Sequence, residues 1–180
     1  MTKPIVEFDS KGNVTHFKDS LCEFWYEYDE DDNLSYRKDS VWCERWYYAN
    51  GNVSRIKYSD NCEEWFTTDG KQSYSKLNDH FEYWSEYDEN GNLSYQRTSE
   101  GLEEWYDSEG NTIHIKDKSK EVWNEYNSKG DIIYERNSNG DEEWYDDFGN
   151  VIRYRNSDGY EEWYDGNGNI ILTSKVCEKE

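Results

Sequence analysis

A tryptophan-centred motif recurs about every 20 residues, and this repeat constrains the fold more than any other feature of the chain. Its members are Trp25, Trp46, Trp65, Trp84, Trp105, Trp123, Trp144 and Trp163. A Gly-Asn-like turn follows each tryptophan, as at Gly110-Asn111, and a second polar turn, such as residues 156–159, precedes the next one. Self-similarity at a short fixed period is the sequence signature of a repeat architecture, whose units bury apolar surface against their neighbours.

The segments between turns predict β-hairpins. Each is rich in aromatic and β-branched residues, and a turn interrupts about every ten residues, which is typical of hairpins rather than helices. Three units, those of Trp25, Trp84 and Trp123, have two more residues before the turn, and an insertion of two keeps strand side chains on the same face. We predict an all-β fold, an elongated stack of about eight 20-residue antiparallel hairpin repeats forming a single twisted sheet or a hairpin solenoid. A parallel β-solenoid is the alternative.

Ring-bearing residues indicate a folded chain. Only 33% of residues are hydrophobic, as in disordered proteins, but 18% are Phe, Trp or Tyr, and acidic disordered segments are poor in aromatics. We predict a single repeat domain over residues 1–180, with an N-terminal partial repeat over 1–20, repeats over 21–169 and a C-terminal partial repeat over 170–180.

A glutamate stands two residues before each repeat tryptophan. The set is Glu23, Glu44, Glu63, Glu82, Glu103, Glu121, Glu142 and Glu161. Hairpin pairing places a Lys or Arg opposite each glutamate (Lys18, Lys38, Lys57, Lys76, Arg97, Lys116, Arg136 and Arg155) and a ring or guanidinium opposite each tryptophan (His16, Tyr36, Arg55, Tyr74, Tyr95, His114, Tyr134 and Arg153). Such cross-strand pairs stabilise sheets. We interpret the glutamates and tryptophans as a structural ladder, because no reaction requires eight copies of one catalytic residue.

The repeat resembles known families. Tyr145-Asp146-Asp147-Phe148-Gly149-Asn150-Val151 resembles the YD repeats of RHS proteins, and residues 46–53, Trp-Tyr-Tyr-Ala-Asn-Gly-Asn-Val, are closer to the YwqK/MORN-like antitoxin repeats. The Trp-Tyr-x-x-x-Gly core is similar also to choline-binding modules. The resemblance covers nearly the whole chain and implies stacked β-hairpins. It implies no single function, since such repeats are scaffolds.

Acidic residues number 41 and basic residues 20, for a net charge of −21 spread along both halves. Carboxylates recur at the turns (Asp29, Asp31, Asp88, Glu89, Asp107, Glu109, Asp146, Asp147 and Asp165) and directly before tryptophans (Glu64, Glu104, Glu143 and Glu162). Direct nucleic-acid binding is disfavoured, because it needs basic patches. The acidic rows either keep the chain soluble and protect its edges or attract a basic protein partner.

From this charge pattern we expect a non-enzymatic inhibitor or neutraliser of a basic, nucleic-acid-handling protein. A nucleic-acid mimic, a viral or mobile-element inhibitor of host defence and an antitoxin or immunity protein all fit. The alternatives are a module that holds a carbohydrate or choline-like cation in Trp and Tyr slots, and a structural module that assembles with itself. No apolar run or leader indicates a membrane span or secretion, so we expect a cytoplasmic location in the producing or infected cell.

No catalytic residue, metal site or cofactor is predicted. The four cysteines, Cys22, Cys43, Cys62 and Cys177, lack zinc-site spacing and are expected to be reduced fillers. The Asp-rich turns do not match a calcium loop, which needs glycine at its sixth position and glutamate at its twelfth. Isoleucines stand in the second half where the first half has Ser or Thr: Ile113, Ile133, Ile152 and Ile171. They predict either an apolar interface with a partner or second copy, or a second small core.

Overall fold

The computed structural model describes residues 3–78 and 80–175, in which every regular element is a β-strand. The chain divides into two compact units, Met1–Ser85 and Glu86–Glu180. The strands of the first unit are β1 (Ile5–Phe8), β2 (Val14–Lys18), β3 (Glu23–Tyr28), β4 (Leu34–Asp39), β5 (Glu44–Tyr47), β6 (Val53–Lys57), β7 (Glu63–Phe66), β8 (Gln72–Leu77) and most of β9 (Phe81–Tyr87). Those of the second unit are β10 (Leu93–Thr98), β11 (Glu103–Tyr106), β12 (Thr112–Lys116), β13 (Glu121–Tyr126), β14 (Ile132–Asn137), β15 (Glu142–Tyr145), β16 (Val151–Arg155), β17 (Tyr160–Tyr164) and β18 (Ile170–Lys175).

Within each unit, every strand pairs antiparallel with the strand that follows it in the chain. The prediction of an all-β chain of antiparallel hairpin repeats is therefore confirmed, and the parallel β-solenoid is wrong. The single domain over 1–180 stays a prediction. None of the described segments forms a helix long and apolar enough to cross a membrane.

The turns share one geometry, which the Asp-to-Gly-Asn sequence explains. In a representative turn, Asp165 N–H donates to the Asn169 carbonyl and Gly168 N–H donates to the Asp165 carbonyl, both at 2.9 Å. Gly168 has φ of 80°, in the left-handed region that glycine tolerates best. This is the three-residue hairpin loop in which a type I turn is followed by a left-handed residue. Trp42, with φ of 66°, occupies the corresponding left-handed position between β4 and β5.

A β-bulge follows each Gly-Asn turn for which the register is described. Tyr145 pairs with Val151 and Trp144 with Arg153, so Ile152 is left as the extra residue of the bulge. The extra residues are Thr15, Ser35, Ser54 and Ser73 in the first unit and Ile113, Ile133, Ile152 and Ile171 in the second. The predicted isoleucine stripe is therefore the series of bulge residues of the second unit. Three members are exposed: Ile113 by 38%, Ile152 by 41% and Ile171 by 65%.

Apolar burial in the described residues is sparse. Cys43, 8% exposed, is the one buried hydrophobic residue there. The hairpins are therefore held together mainly by cross-strand side-chain pairs, each of which contributes roughly 0.2–1 kcal/mol. This makes the two sheet faces, rather than an enclosed core, the places where the chemistry of the chain lies.

Candidate functional site

In each unit, one sheet face carries the ladder residues of its repeats, because side chains alternate along a strand. We call it the indole face. The register places all eight ladder glutamates opposite their Lys or Arg, and all eight tryptophans opposite their ring or guanidinium, at the pairs derived from the sequence. In one example, Glu103 lies opposite Arg97 and Trp105 lies opposite Tyr95.

Six ladder glutamates form a diagonal hydrogen bond with the residue opposite their tryptophan. The donor–acceptor distances are 3.0 Å for His16–Glu23, 2.9 Å for Arg55–Glu63, 3.1 Å for Tyr95–Glu103, 3.0 Å for His114–Glu121, 2.9 Å for Tyr134–Glu142 and 2.7 Å for Arg153–Glu161. At the equivalent positions of two other repeats, burial and next the charge of the ladder glutamate, Glu44 or Glu82, raise the pKa of Tyr36 and Tyr74. Burial, and next the charge of Glu44, raise the pKa of Tyr36 to about 12, so this hydroxyl stays a donor.

Ion pairs with the directly opposite base are a second contact. Lys18 lies 2.9 Å from Glu23, and Lys38 lies 3.4 Å from Glu44. Glu142 instead reaches the strand on its other side, where Arg155 lies 2.7 Å away. Ladder glutamates such as Glu23 and Glu142 therefore interact with more than one donor, whereas the sequence predicted a single partner for each.

A guanidinium or an imidazole ring lies between pairs of indoles on this face. The Arg55 guanidinium carbon is 4.7 Å from the Trp46 ring centroid and 4.8 Å from that of Trp65. The His114 ring stacks between two indoles as well, with centroids 4.2 Å from Trp105 and 4.9 Å from Trp123. Stacking of the Arg55 cation on an indole contributes about 0.5–2 kcal/mol. The indole face is therefore occupied by the chain's own guanidiniums and rings.

The stack is interrupted where a strand has two extra residues. Trp25 lies opposite Lys38 on β4, and Glu27 lies opposite Tyr36. The two inserted residues shift the register of β3 against β4 by two residues, so Trp25 does not face Tyr36. A groove of about 550 Å³ lies here, lined by residues that include Trp25, Tyr36, Lys38 and Trp42. The Lys38 ammonium lies 4.6 Å from the ring centroid of Trp42, which is 66% exposed and stands outside the repeat pattern.

The opposite face of the second unit carries unpaired acidic charge. We call it the carboxylate face, defined by Glu104, Glu135, Glu143 and Glu162. Glu104 lies opposite Gln96 and Ile115, and Glu135 lies opposite Asn124 and Glu143. Glu143 lies opposite Glu135 and Tyr154, and Glu162 lies opposite Tyr154 and Thr173. None of these neighbours is basic. Glu64, at the matching place in the first unit, lies opposite Ile56 and Ser75.

Tyrosine hydroxyls orient these carboxylates. Tyr145 donates to Glu143 at 2.5 Å, while Tyr160 and Tyr164 both donate to Glu162, the first at 2.9 Å. The bond to Glu162, and next burial, raise the pKa of Tyr164 to about 12. A hydroxyl donor leaves the charge of its acceptor in place, so the carboxylates are held in fixed positions while they remain anionic.

A groove of about 580 Å³ crosses the carboxylate face. It is lined by residues that include Glu143, Tyr154, Glu162 and Tyr164. Tyr154 lies between the two glutamates in the cross-strand order, so the carboxylates stand two strands apart, about 9–10 Å. A lysine or arginine side chain placed along the Tyr154 ring meets an aromatic surface and can form charge-assisted hydrogen bonds with a carboxylate.

The acidic turn residues fall into two groups. Those at the first turn position accept backbone N–H bonds, as Asp165 does from Asn167 and Asn169 at 2.9 Å each. The group comprises Asp29, Asp88, Asp107, Asp146 and Asp165. The backbone bond from Asn169 leads the causes that lower the pKa of Asp165. The other group, at the second or third turn position, is exposed and comprises Asp31, Glu89, Glu109 and Asp147.

The remaining candidates are isolated. Cys22, Cys43 and Cys62 are free thiols, and Cys177 lies outside the described residues. No group of three or more His, Cys, Asp or Glu side chains in residues 3–78 and 80–175 is arranged to hold a metal ion.

Comparison with known proteins yields structural likeness alone. No protein-family profile matches the sequence, and no curated protein matches it. A crystal structure of TcdB2-TccC3-TEV is similar over 94% of this chain and 12% of that chain, with 13% identity and a TM-score of 0.37. The TCP10 domain of Danio rerio CPAP, solved with a peptide of Danio rerio STIL, is similar over 97% of this chain and 100% of that chain, with 14% identity and a TM-score of 0.36. The chain thus spans about an eighth of the first structure, and likeness this low carries no functional argument.

Proposed function

We propose that this chain is a non-enzymatic binding protein that recognises a basic protein through the carboxylate face of the second unit, and thereby inhibits or neutralises it. The observation that carries the proposal is the groove in which Glu143 and Glu162 flank Tyr154 with no basic residue opposite either carboxylate. On the indole face, by contrast, each ladder glutamate has a Lys or Arg directly opposite it.

Preorganisation favours this face over the rest of the acidic surface. The glutamates are half-buried and held by tyrosine hydroxyls, so an incoming cation does not have to order them. Binding that avoids such ordering is stronger for the same contacts. The exposed turn carboxylates, such as Glu89, Glu109 and Asp147, add a long-range field that speeds the encounter with a basic partner.

The partner we propose handles nucleic acid, because such proteins present the largest basic surfaces. Carboxylates two strands apart are sparser than the phosphates of duplex DNA, which carries one charge per about 1.7 Å of axis. We therefore place recognition in individual Lys and Arg side chains rather than in imitation of a whole duplex. A relationship to the YD/RHS-like or YwqK/MORN-like repeats is part of this proposal and agrees with an antitoxin or immunity role.

The groove beside Trp25 and Trp42 supports a second candidate, an aromatic slot for a carbohydrate or an organic cation. Its two exposed indoles and the glutamates of the indole face are the components of such a site. Lys38 lies over the Trp42 ring and would have to be displaced by a cationic ligand. Because of this internal competitor, the slot ranks below the carboxylate face.

The test is a binding screen against purified basic DNA- and RNA-binding proteins of the producing host, with a lysine homopolymer as the reference polycation. We expect one protein to bind more tightly than the homopolymer and to lose most of its affinity between about 0.05 M and 0.5 M salt, since screening shortens to a few ångströms. The binder should also lose its nucleic acid on complex formation. Affinity that is indifferent to salt, or a screen in which the homopolymer binds best, contradicts the proposal.

A further inference from the structure

In two repeats, side chains of like charge face each other across neighbouring strands at the same register position. The pair is positive in the first unit and negative in the second. In the first unit Arg37 on β4 lies directly opposite Arg45 on β5. In the second unit Glu135 on β14 lies directly opposite Glu143 on β15. Both pairs lie on the face opposite the indoles, next to the long hairpins of Trp25 and Trp123.

The surroundings of the two pairs match strand by strand. On the indole face, Tyr36 opposite Trp46 in the first unit corresponds to Tyr134 opposite Trp144 in the second. The like-charge pairs are therefore equivalent positions of one repeat that carry charges of opposite sign. Directly opposed like charges on one sheet face destabilise the pairing of their strands. Each pair thus costs its own unit stability unless an opposite charge covers it.

The arginine pair is incompletely satisfied within its own unit. Arg37 Nε and Arg45 Nη1 are shielded from solvent and have no hydrogen-bond partner. Arg45 Nη1 forms an ion pair with Asp39 at 3.6 Å, a distance too long for a hydrogen bond, so this carboxylate offsets the repulsion only in part. The Arg37 guanidinium lies over the Phe24 ring at 4.9 Å, which fixes its position on this face.

The glutamate pair has the complementary deficit. Both carboxylates are half-buried, and burial followed by the charge of Glu143 raises the pKa of Glu135, against a smaller opposing effect of the Lys120 charge. A guanidinium is the group that relieves this repulsion best, because it can bind carboxylates with two parallel hydrogen bonds. The bulge residues beside the pairs also differ, with Ser35 and Ser54 in the first unit and Ile133 and Ile152 in the second. Short side chains on one surface leave room for the longer ones of the other.

We propose that two copies of this chain bind each other through these surfaces, with Arg37 and Arg45 of one copy against Glu135 and Glu143 of the other. The contact replaces two like-charge repulsions by opposite-charge pairs and covers exposed isoleucine. It goes beyond the proposed function, and it adds regulation: a basic partner that binds Glu143 displaces the second copy. Self-association then holds the carboxylate face in reserve until such a partner is present.

Charge reversal tests this directly, and the fold itself supplies the reason that the variants remain folded. The double variant Arg37→Glu with Arg45→Glu recreates in the first unit the pair found in the second, and Glu135→Arg with Glu143→Arg does the converse. Circular dichroism checks that each retains its strands. The matched control is Glu27→Gln with Glu125→Gln, two exposed glutamates of the indole face.

Sedimentation velocity of the chain alone, with no partner protein present, gives the readout. We expect the unaltered chain and the control to self-associate, with dissociation constants that rise with salt, and each reversed variant to bind itself about 100-fold or more weakly, since opposed like charges repel. An equimolar mixture of the two reversed variants should form a heterodimer, because both of its contacts again join opposite charges. A monomeric unaltered chain, unchanged association of either variant, or a mixture that stays monomeric overturns the inference. The proposed function is tested by binding to a basic partner protein, whereas this inference is tested by association of the chain with itself. Either can therefore fail while the other holds.

Discussion

The guanidinium of Arg153 donates a 2.7 Å hydrogen bond to Glu161, the most buried acid of the described residues at 6% exposure. The same guanidinium lies 4.2 Å from one indole centroid and 5.5 Å from another. One side chain therefore joins the two devices that hold the hairpins together, the glutamate strut and the indole stack. Any change at this position acts on both.

Replacing Arg153 by alanine is expected to lower the free energy of unfolding by about 1.5–3 kcal/mol, because it leaves the Glu161 carboxylate buried without its charged donor. Arg153→Tyr should retain most of the stability, since Tyr134 and Tyr95 perform both tasks at equivalent positions. The matched control is Lys129→Ala, whose ion pair with Asp147 is exposed on both sides and is worth about 0–1 kcal/mol. Urea unfolding followed by tryptophan fluorescence measures all three. Equal losses of unfolding free energy in Arg153→Ala and Lys129→Ala would contradict the claim that the Arg153–Glu161 contact stabilises the fold.

Trp42→Gly is expected to stabilise the chain. Trp42 has φ of 66°, and a left-handed conformation costs a non-glycine residue about 1–2 kcal/mol. Loss of the contact with Lys38 costs about 0.5–1 kcal/mol, so we expect a net gain of up to about 1.5 kcal/mol. The converse control is Gly149→Ala, at φ of 80° with no neighbour within 4 Å of an added Cβ, which should destabilise by backbone strain alone. A destabilised Trp42→Gly variant would show that this side chain holds the fold.

Asp165→Asn is expected to make stability less sensitive to acid. The folded-state pKa of Asp165 is lowered from 3.8, chiefly by the backbone bond from Asn169, so its contribution is present above pH 3.8 and is lost as the pH falls through the folded value. Asparagine keeps the acceptor oxygen, as Asn127, Asn137 and Asn156 do in other turns. Unfolding curves near neutral pH should therefore be similar for the two chains and diverge below about pH 4. If the stabilities of the two chains change in parallel down to low pH, the charge of the Asp165 carboxylate does not stabilise this turn.

Tyr164 is expected to ionise late and to limit alkaline stability. Its folded pKa of about 12 lies above the ordinary value of 10.0, so its contribution is complete below pH 10.0 and is lost as the pH rises towards 12. Glu162→Gln removes the leading cause of the shift and should bring ionisation towards the ordinary value, whereas Glu125→Gln, on the indole face, should not. Ultraviolet absorbance of tyrosinate during a pH titration distinguishes them. An unchanged titration in Glu162→Gln would mean that burial alone protects this hydroxyl.

Strand order and register could be predicted from the sequence because both depend on local chemistry. Gly-Asn turns define where each strand ends, and an interval of two residues keeps Glu161 and Trp163 on one face. The same counting places Arg153 opposite Trp163, as the structure has it. Counting residues between turns pairs each strand with one neighbour and does not consider the strand on its other side. The diagonal hydrogen bonds of the ladder glutamates and the position of Arg153 between two indoles therefore become clear only in the three-dimensional structure.

Other features had no local pattern to reveal them. Trp42 stands where glycine is the expected residue, and nothing in its residue type indicates a left-handed conformation. Arg37 and Arg45 lie opposite each other between the predicted pairs Tyr36–Trp46 and Lys38–Glu44, but their nitrogens that lack a hydrogen-bond partner depend on side-chain packing that the register does not specify. The acidic residues before the tryptophans were identified from the sequence, but their tyrosine donors depend on side-chain directions that the repeat period does not specify.

Two triple variants with the same change of charge test the central claim, that the carboxylate face is the recognition surface. One removes Glu104, Glu143 and Glu162 by substitution to Gln, and the other removes Glu27, Glu86 and Glu125, the exposed glutamates of the indole face, in the same way. The measurement is the dissociation constant of each for the tightest basic protein found in the binding screen, at one fixed salt concentration. The account predicts a loss of at least about tenfold for the first variant, from the charge-assisted hydrogen bonds removed, and little change for the second. Equal losses in the two would mean that net charge alone drives binding, and would contradict it.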